Sequence, residues 1–179
     1  AMDFPVAADC EPRYNMFRLI RPVANDRLLV ACFHDQKLCE FDWQGKVHWE
    51  CAFEGTPYHP LRLENGHTLV SLGPTGLMVE VDASGTEVWR FDMVADAGLE
   101  CGWIAGLSVP APGRIVFSDS AHDRLVEIDR ETKQVLSVFQ DREVLLHPST
   151  HVILPEFGRL LPGDLQVFGR FAEASGVGV

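Results

Sequence analysis

A short hairpin pattern that occurs three times constrains the fold of this chain more than any other feature of its sequence. Each copy has Glu, an apolar residue and Asp, followed by a turn and a second strand. The copies span 39–49, 79–91 and 126–136. Their turn aspartates lie roughly 40–50 residues apart, an interval typical of propeller blades. The pattern therefore predicts an all-β fold, a β-propeller of four-stranded antiparallel blades.

Turn residues divide the chain into three full blades and a partial fourth. Asn65-Gly66 and Pro112-Gly113 are examples of the turn signals that separate short strands. The predicted full blades are 14–55, 56–95 and 101–141, and the partial blade is 147–161. We interpret residues 1–13 as an N-terminal tail or edge strand, and residues 162–179 as a C-terminal strand and flexible tail.

The fourth blade does not reach a Glu-apolar-Asp hairpin. Propellers have about four to eight blades, so three full blades are few. Three arrangements stay open: a four-bladed closure, a fragment of a longer propeller, and a partial propeller completed by another copy as a homo-oligomer. We favour the fragment or truncated form, because the last blade loses its core residues and has no clean closing strand.

Composition narrows the classes of partner. The 179 residues are 46% apolar, which suits one globular unit with a full core. The formal net charge is −11 and no basic cluster is present, so neither nucleic acid nor an anionic membrane surface is an expected partner. No apolar run approaches the roughly 18 residues of a transmembrane helix. No signal peptide follows Ala1-Met2, and the localisation is left open.

The chain has an odd number of cysteines and no CxxC pair, which argues against a zinc ribbon or a thioredoxin-like site. A two-residue hairpin within His34–Lys37 would place Cys32 directly opposite Cys39, close enough for a disulfide. The alternative, which we favour, is a pair of small buried thiols.

In two of the hairpins, Gly is followed four residues later by Trp, at Gly45 to Trp49 and at Gly85 to Trp89. This spacing resembles the quinoprotein-type, or PQQ-like, propeller repeat over about residues 14–161. The third copy departs from it: Lys133 stands near the Gly position and Leu136 stands where Trp would sit. The resemblance implies a propeller and favours a periplasmic or extracellular location. The residues that hold calcium and quinone in the dehydrogenases do not map here, so no cofactor is expected.

A looser resemblance concerns residues 58–69, where Tyr58-His59 precedes an Asn-Gly turn. This stretch is similar to the blade start of arylsulfotransferase-type propellers. In that family, histidines and an arginine near the channel mouth transfer sulfate, so the resemblance implies a role for His59.

Loops on one face of the predicted propeller carry the candidate site residues. The loop leading into the first strand of a blade (the leading loop) and the loop between its second and third strands (the middle loop) share the usual ligand face. The ligand-binding candidates in these loops are Tyr58, His59, Trp103, Asp119, His122, His147 and His151.

Each candidate also has a structural interpretation. His59 is either a base or anion ligand, or a residue that caps a loop. The loop 119–123 combines acid and base side chains, but a solvated turn has the same composition. Trp103 would stack on a sugar or aryl ring, or pack in the core. Residues that recur at one position of the repeat are expected to be structural: Trp49 and Trp89 in two copies, and Glu40, Glu80 and Glu127 in all three.

No compact catalytic or metal motif is present. His147 and His151 have the spacing of a metal pair on a helix, but Pro148 argues against a helix, so we predict no metal site. Nucleophile elbows, P-loops, dinucleotide fingerprints and HExxH are absent from the sequence, and the catalytic residues stay unknown.

The sequence therefore favours a non-catalytic propeller that binds a protein, peptide or glycan ligand on its loop face. The alternative is a propeller enzyme that uses the loop histidines, either an arylsulfotransferase-like transferase or a lyase or hydrolase. A quinone- or metal-binding redox protein ranks last.

Overall fold

The computed structural model describes residues 17–140 of the chain. Within this range the chain forms twelve strands and no helix. The strands are β1 (Ile20–Val23), β2 (Arg27–Cys32), β3 (Lys37–Asp42), β4 (Val47–Ala52), β5 (His59–Arg62), β6 (Thr68–Ser71), β7 (Leu77–Val81), β8 (Glu87–Asp92), β9 (Ile104–Ala111), β10 (Arg114–Asp119), β11 (Arg124–Asp129) and β12 (Val135–Phe139). Between residues 17 and 140 there is accordingly no helix of the length and hydropathy needed to cross a bilayer.

The strands form three four-stranded antiparallel sheets, and in each sheet neighbouring strands are also consecutive in the chain. This arrangement confirms the predicted all-β fold built from four-stranded blades. The first two sheets belong to one compact unit that ends at Arg90, and the third belongs to a unit that begins at Phe91, within β8. The predicted tail 1–13, partial blade 147–161 and C-terminal segment 162–179 lie outside the described residues.

An apolar cluster joins the first two sheets. Its fully buried members are Leu29, Ala31, Leu38, Val70, Leu72, Val79 and Val81. Trp49 packs against this cluster and donates its indole N–H to the carbonyl of Ala83 in the second sheet, at 3.1 Å. The guanidinium of Arg62 lies 5.2 Å from the centroid of the Trp49 ring. Trp49 is thus a structural residue, as the repeat predicts.

The recurring glutamates also have structural partners. Glu40 accepts hydrogen bonds from Arg27, at 2.8 Å, and from Arg62, at 2.6 Å. Because Arg62 belongs to β5, this carboxylate ties the first sheet to the second. The equivalent pairs in the other two sheets are Glu80 with His67, at 2.8 Å, and Glu127 with Arg114, at 2.6 Å.

The β2–β3 hairpin corrects the expected opposition of two cysteines. Cys32 pairs with Lys37 and Cys39 pairs with Val30, so the connection has four residues rather than two. The longer turn forms because Gln36 adopts a left-handed φ of 52°. Both thiols are free and buried on one face of the sheet. A hydrogen bond between the two thiols, together with burial, raises the pKa of Cys32.

The hairpin turn of the third sheet is one residue longer than those of the first two. The N–H of Asp129 bonds to the carbonyl of Gln134, whereas the N–H of Asp82 bonds to the carbonyl of Thr86. The inserted residue leaves Lys133 in a left-handed conformation, with φ of 60°, at the end of the turn. Glycine adopts this conformation without steric cost, and the first two hairpins have glycine there.

The longer turn also shifts the strand that follows it. Ser137 lies opposite Glu127 just as Trp49 lies opposite Glu40. Ser137 therefore stands at the Trp position, and the expectation that Leu136 would stand there is wrong. The hydroxyl of Ser137 donates to the Glu127 carboxylate at 3.0 Å.

In the second and third sheets, the leading loop and the middle loop lie at the same end of the sheet. In the second sheet, His59 begins β5 and lies opposite Ser71, the last residue of β6. In the third sheet, Ile104 begins β9 and lies opposite Asp119, the last residue of β10. This end of a sheet is called its loop end below, and it carries the candidate residues.

Candidate functional site

Four side chains form a polar network at the loop end of the third sheet. They are Glu100 from the leading loop, Asp119 from the end of β10, His122 from the middle loop and Arg124 from the start of β11; we call them the third-sheet loop cluster. Asp119 is fully buried. Its Oδ2 accepts hydrogen bonds from Nδ1 of His122, at 2.7 Å, and from Nε of Arg124, at 2.9 Å.

The position of Asp119 is apolar in the other two sheets. Asp119 ends β10 directly opposite the first residue of β11. The equivalent residue in the first sheet is Cys32, opposite Lys37, and in the second sheet it is Leu72, whose N–H bonds to the carbonyl of Leu77. A buried carboxylate is costly unless it is paired and hydrogen-bonded. The third sheet therefore departs from the repeat at the point where its loop end is built.

Two polar atoms of this network are buried without a protein hydrogen-bond partner. They are Oδ1 of Asp119 and Nη2 of Arg124. The backbone of Gly102 lies against the same carboxylate, and a β-carbon at position 102 would collide with it. Gly102 therefore allows the leading loop to close over Asp119, and the cluster holds one acceptor and one donor that its own side chains do not satisfy.

His122 is oriented from both sides of its ring. Asp119 accepts the hydrogen bond of Nδ1, and the Nε2 atom lies 3.2 Å from the carboxylate of Glu100. The Glu100 side chain is 83% exposed, so a ligand can replace this contact, whereas the Asp119 contact is fixed by burial. The amide of Gln140 donates to the His122 carbonyl at 3.0 Å and steadies the loop. The arrangement presents Nε2 at the surface.

The predicted residues Trp103, Asp119 and His122 come together at this loop end. Ser120, next to Asp119, donates its N–H to the Trp103 carbonyl at 3.0 Å, and this bond joins the middle loop to the leading loop. Sequence reasoning missed Glu100, Gly102 and Arg124. The signal for Arg124 was a basic residue directly after the Asp119–Asp123 loop, but neither Glu100 nor Gly102 belongs to a recognisable pattern.

The other predicted residues in the described part of the chain, Tyr58 and His59, lie in the first compact unit. His59 is fully buried, and its Nε2 lies 2.8 Å from Nη2 of Arg21. Because a guanidinium only donates, Nε2 accepts and Nδ1 carries the ring proton. The guanidinium of Arg18 lies 4.2 Å from the ring centroid of Phe33 and 5.5 Å from that of Tyr58.

This second grouping is called the arginine–histidine cluster: Arg18, Arg21, Phe33, Tyr58 and His59. The rings of Phe33 and Tyr58 meet edge to face at 6.5 Å. Sequence reasoning missed both arginines, because they lie in and before β1 of the first sheet. Only the approach of this segment to the second sheet, where the N–H of Leu19 bonds to the carbonyl of Tyr58, brings them to His59. Because His59 is fully buried, it lies in the core beneath the loop end and does not contact solvent.

The remaining predicted site residues, His147 and His151, lie outside the described residues and stay predictions. Among residues 17–140, no three His, Cys, Asp or Glu side chains converge in a way that could hold a metal ion.

Comparison with known proteins gave no matching family model and no matching curated protein. Among solved structures, a protein of unknown function from Bacteroides caccae is 25% identical, with a TM-score of 0.65 over 75% of this chain and 53% of that chain. A streptogramin B lyase is 10% identical, with a TM-score of 0.58 over 71% of this chain and 41% of that chain. The WD40 β-propeller domain of Doa1 is 16% identical, with a TM-score of 0.53 over 70% of this chain and 40% of that chain.

These similarities show that the chain has the fold of β-propeller proteins. The chain spans about half, or less, of the length of each of these structures. At these identities the likeness concerns the fold, and propellers carry many unrelated activities.

Proposed function

We propose that this chain is a non-catalytic β-propeller that binds a peptide or protein segment at the loop ends of its blades. The observation that supports this proposal is the buried Asp119, which replaces the apolar residue of the other two sheets and organises His122 and Arg124 around it. Recurring residues maintain the blades, so a departure from the repeat at the loop end is where a ligand would be recognised.

The charge of the site favours a ligand with cationic groups. Glu100 projects an exposed carboxylate beside His122, and the chain as a whole has a formal net charge of −11. Such a surface attracts basic partners and repels acidic ones. We therefore propose a segment with Lys or Arg side chains as the ligand; a glycan, with Trp103 as a stacking surface, is the competing ligand class.

The proposal is tested by titrating the protein with a set of lysine- and arginine-containing peptides, matched acidic peptides and neutral oligosaccharides. We expect binding of the basic peptides only. The variant Glu100→Gln should weaken their binding by about tenfold at low salt, because it removes the exposed charge without changing the size of the side chain. Calorimetry at two salt concentrations measures both effects.

Glu131→Gln is the matched control for this experiment. Glu131 is exposed and belongs to the hairpin turn at the opposite end of the same sheet, so its loss changes the net charge equally but not the loop end. If both variants weaken peptide binding equally, the loss of affinity comes from net charge alone, and the proposed site is contradicted. If only the oligosaccharides bind, the ligand class is a glycan and not a peptide.

A second candidate function is a propeller enzyme in which His122 acts as a general base. The supporting observation is the 2.7 Å contact between Asp119 and Nδ1, which leaves Nε2 able to accept a proton once a substrate displaces Glu100 from its 3.2 Å contact. A carboxylate in this relation holds the imidazole in one tautomer and stabilises its protonated form during proton transfer. A lyase or hydrolase reaction fits this geometry.

Two more specific assignments, one of an activity and one of a repeat family, are also proposals. An arylsulfotransferase-like activity would use the arginine–histidine cluster, and its support is the 2.8 Å contact between Arg21 and His59. A quinoprotein-type repeat is supported by Gly45 and Gly85 with their following tryptophans, and the third sheet departs from that repeat. A second copy that completes the propeller is likewise proposed.

A further inference from the structure

Two buried thiols lie together on one face of the first sheet, and we call them the cysteine pair. Cys32 ends β2 beside the middle loop and is 4% exposed, and Cys39 lies within β3 and is 2% exposed. They share an apolar cluster with Leu28, Val30 and Phe41, on the face opposite to the one that packs on the second sheet. The cysteine pair belongs to neither of the two clusters described above and has no part in the proposed function.

The register of the β2–β3 hairpin places the two cysteines at diagonal positions. Cys32 lies opposite Lys37, and Cys39 lies opposite Val30. Diagonal residues are about 7–8 Å apart, which is more than the roughly 4.4–6.8 Å between the α-carbons that a disulfide joins. A disulfide therefore requires the backbone to move. A metal ion between the sulfur atoms spans a wider gap, because it makes two bonds of about 2.3 Å where a disulfide has one of about 2.05 Å.

The two sulfur atoms already interact with each other. The Cys32 thiol donates a hydrogen bond to Cys39, and this bond lowers the pKa of the Cys39 thiol, while burial acts in the opposite direction. The thiolate is the form of cysteine that binds metals. Lys37 and Glu50 form an ion pair at 3.1 Å, and they lie directly opposite Cys32 and Cys39 in the sheet. Because opposite residues share a face, these two partly exposed side chains border the cysteine pair.

The number and type of ligands determine which ion fits the cysteine pair. Structural zinc sites use four protein ligands, but among residues 17–140 no group of three His, Cys, Asp or Glu side chains could hold a metal ion. Calcium and magnesium bind oxygen ligands. Monovalent copper prefers soft thiolate ligands, and two of them in a line satisfy it. A pair of thiols without a third ligand therefore fits monovalent copper best.

We propose that Cys32 and Cys39 bind a monovalent copper ion, with their two sulfur atoms as its ligands. Each thiol releases its proton to solvent and forms one copper–sulfur bond, and no electron is transferred because copper stays monovalent. The resulting complex carries a single net negative charge, and the ammonium group of Lys37 lies on the same face to compensate it. The copper site is separate from the ligand site at the loop end of the third sheet.

Competition with a colorimetric copper(I) chelator in oxygen-free buffer tests the proposal on the full chain. We expect the wild-type protein to take a single equivalent of copper from the chelator. The variants Cys32→Ala and Cys39→Ala should each raise the dissociation constant by more than the roughly 10–100-fold that the loss of an outer-shell partner costs, because a ligand itself is missing. Alanine is small and apolar like its neighbours in this cluster, so both variants should keep the fold.

Cys51→Ala is the matched control, because Cys51 belongs to the same sheet but packs against the cluster on the other face. We expect this variant to bind copper as tightly as the wild-type protein does. The proposal is overturned if the wild-type protein takes up no copper, if all three variants bind it equally weakly, or if Cys32→Ala and Cys39→Ala bind it unchanged.

X-ray absorption at the copper edge identifies the ligands in the wild-type protein and needs no variant. We expect two sulfur neighbours around copper and no nitrogen or oxygen neighbour. Three or more sulfur neighbours, recruited from several of the five cysteines of the chain, would place copper outside the cysteine pair and overturn the proposal. A shell of nitrogen or oxygen neighbours would overturn it as well.

Discussion

At the scale of single residues, function is best sought where the three sheets differ. The positions that recur, such as Glu40 and Trp49, make contacts that hold sheets together. Asp119 is the exception, because it is a buried carboxylate at an otherwise apolar position and it determines the orientation of His122. The sequence places acidic and basic side chains in this loop, but only the folded structure shows that Oδ2 of Asp119 meets Nδ1 of His122.

The variant His122→Asn distinguishes the two proposed functions. Asparagine can keep a hydrogen bond to Asp119 but has no nitrogen that accepts a proton at neutral pH. For a binding protein we expect ligand affinity to change by less than about tenfold. For an enzyme we expect kcat to fall by about 10²–10⁴-fold with little change in KM. Turnover that persists in this variant would exclude His122 as the base. The binding function is tested separately by Glu100→Gln, as described above.

At the scale of strands and hairpins, side-chain contacts join the first two sheets to each other. Arg62 is the main example: it donates to Glu40 of the first sheet, stacks over Trp49 and donates to the carbonyl of Gly66 in its own hairpin. The carboxylate of Glu40 is largely buried, so it depends on these donors.

We expect Arg62→Ala to lower the free energy of unfolding of the protein by about 1.5–3 kcal/mol, because it leaves a largely buried carboxylate with one fewer charged donor. Urea unfolding monitored by tryptophan fluorescence measures this loss. Lys37→Ala is the control: Lys37 pairs with Glu50, both side chains are more exposed, and the loss should stay below about 1 kcal/mol. Similar losses in the two variants would show that Arg62 does not join the sheets.

At the scale of the whole molecule, the formal net charge of −11 and the repeated acidic turns make stability depend on pH. The hydrogen bond from His48 lowers the pKa of Asp42, and the hydroxyl of Ser84 lowers that of Asp82. The backbone N–H of Thr132 lowers the pKa of Asp129. A carboxyl group with a lowered pKa in the folded state stabilises the fold above its unfolded pKa of 3.8 and loses that contribution as the pH falls further.

We therefore expect the protein to lose stability as the pH falls below about 4, and the variant with Asp42, Asp82 and Asp129 replaced by Asn to lose less over the same range. Asparagine still accepts hydrogen bonds from the turn but does not titrate. Urea unfolding at pH 7, 4 and 3 gives the comparison. Parallel losses in the two proteins would show that the turn aspartates do not control the acid transition.

The fold could be predicted from the sequence because its signals are local: turn residues, alternating apolar residues and the recurring hairpin all act within one blade. The register of individual hairpins could not, because one extra turn residue, as between Asp129 and Gln134, moves Ser137 into the Trp position. The site was predictable only in part for the same reason. Trp103, Asp119 and His122 stand out as residue types. Glu100 and Arg21, in contrast, join their clusters only in the folded chain, where a loop brings Glu100 to His122 and the contact between two sheets brings Arg21 to His59.

The consecutive order of strands within each sheet has a consequence for how the protein folds. Every strand of a sheet pairs with a neighbour in the sequence, so each sheet closes only short loops and has low contact order. The strands of each sheet can therefore meet as soon as a stretch of about 40 residues has left the ribosome, but the apolar face of the sheet stays unburied until a neighbouring sheet forms. Kinetic barriers in this molecule should then come from docking one sheet on the next, through contacts such as that of Arg62 with Glu40, and not from forming the sheets themselves.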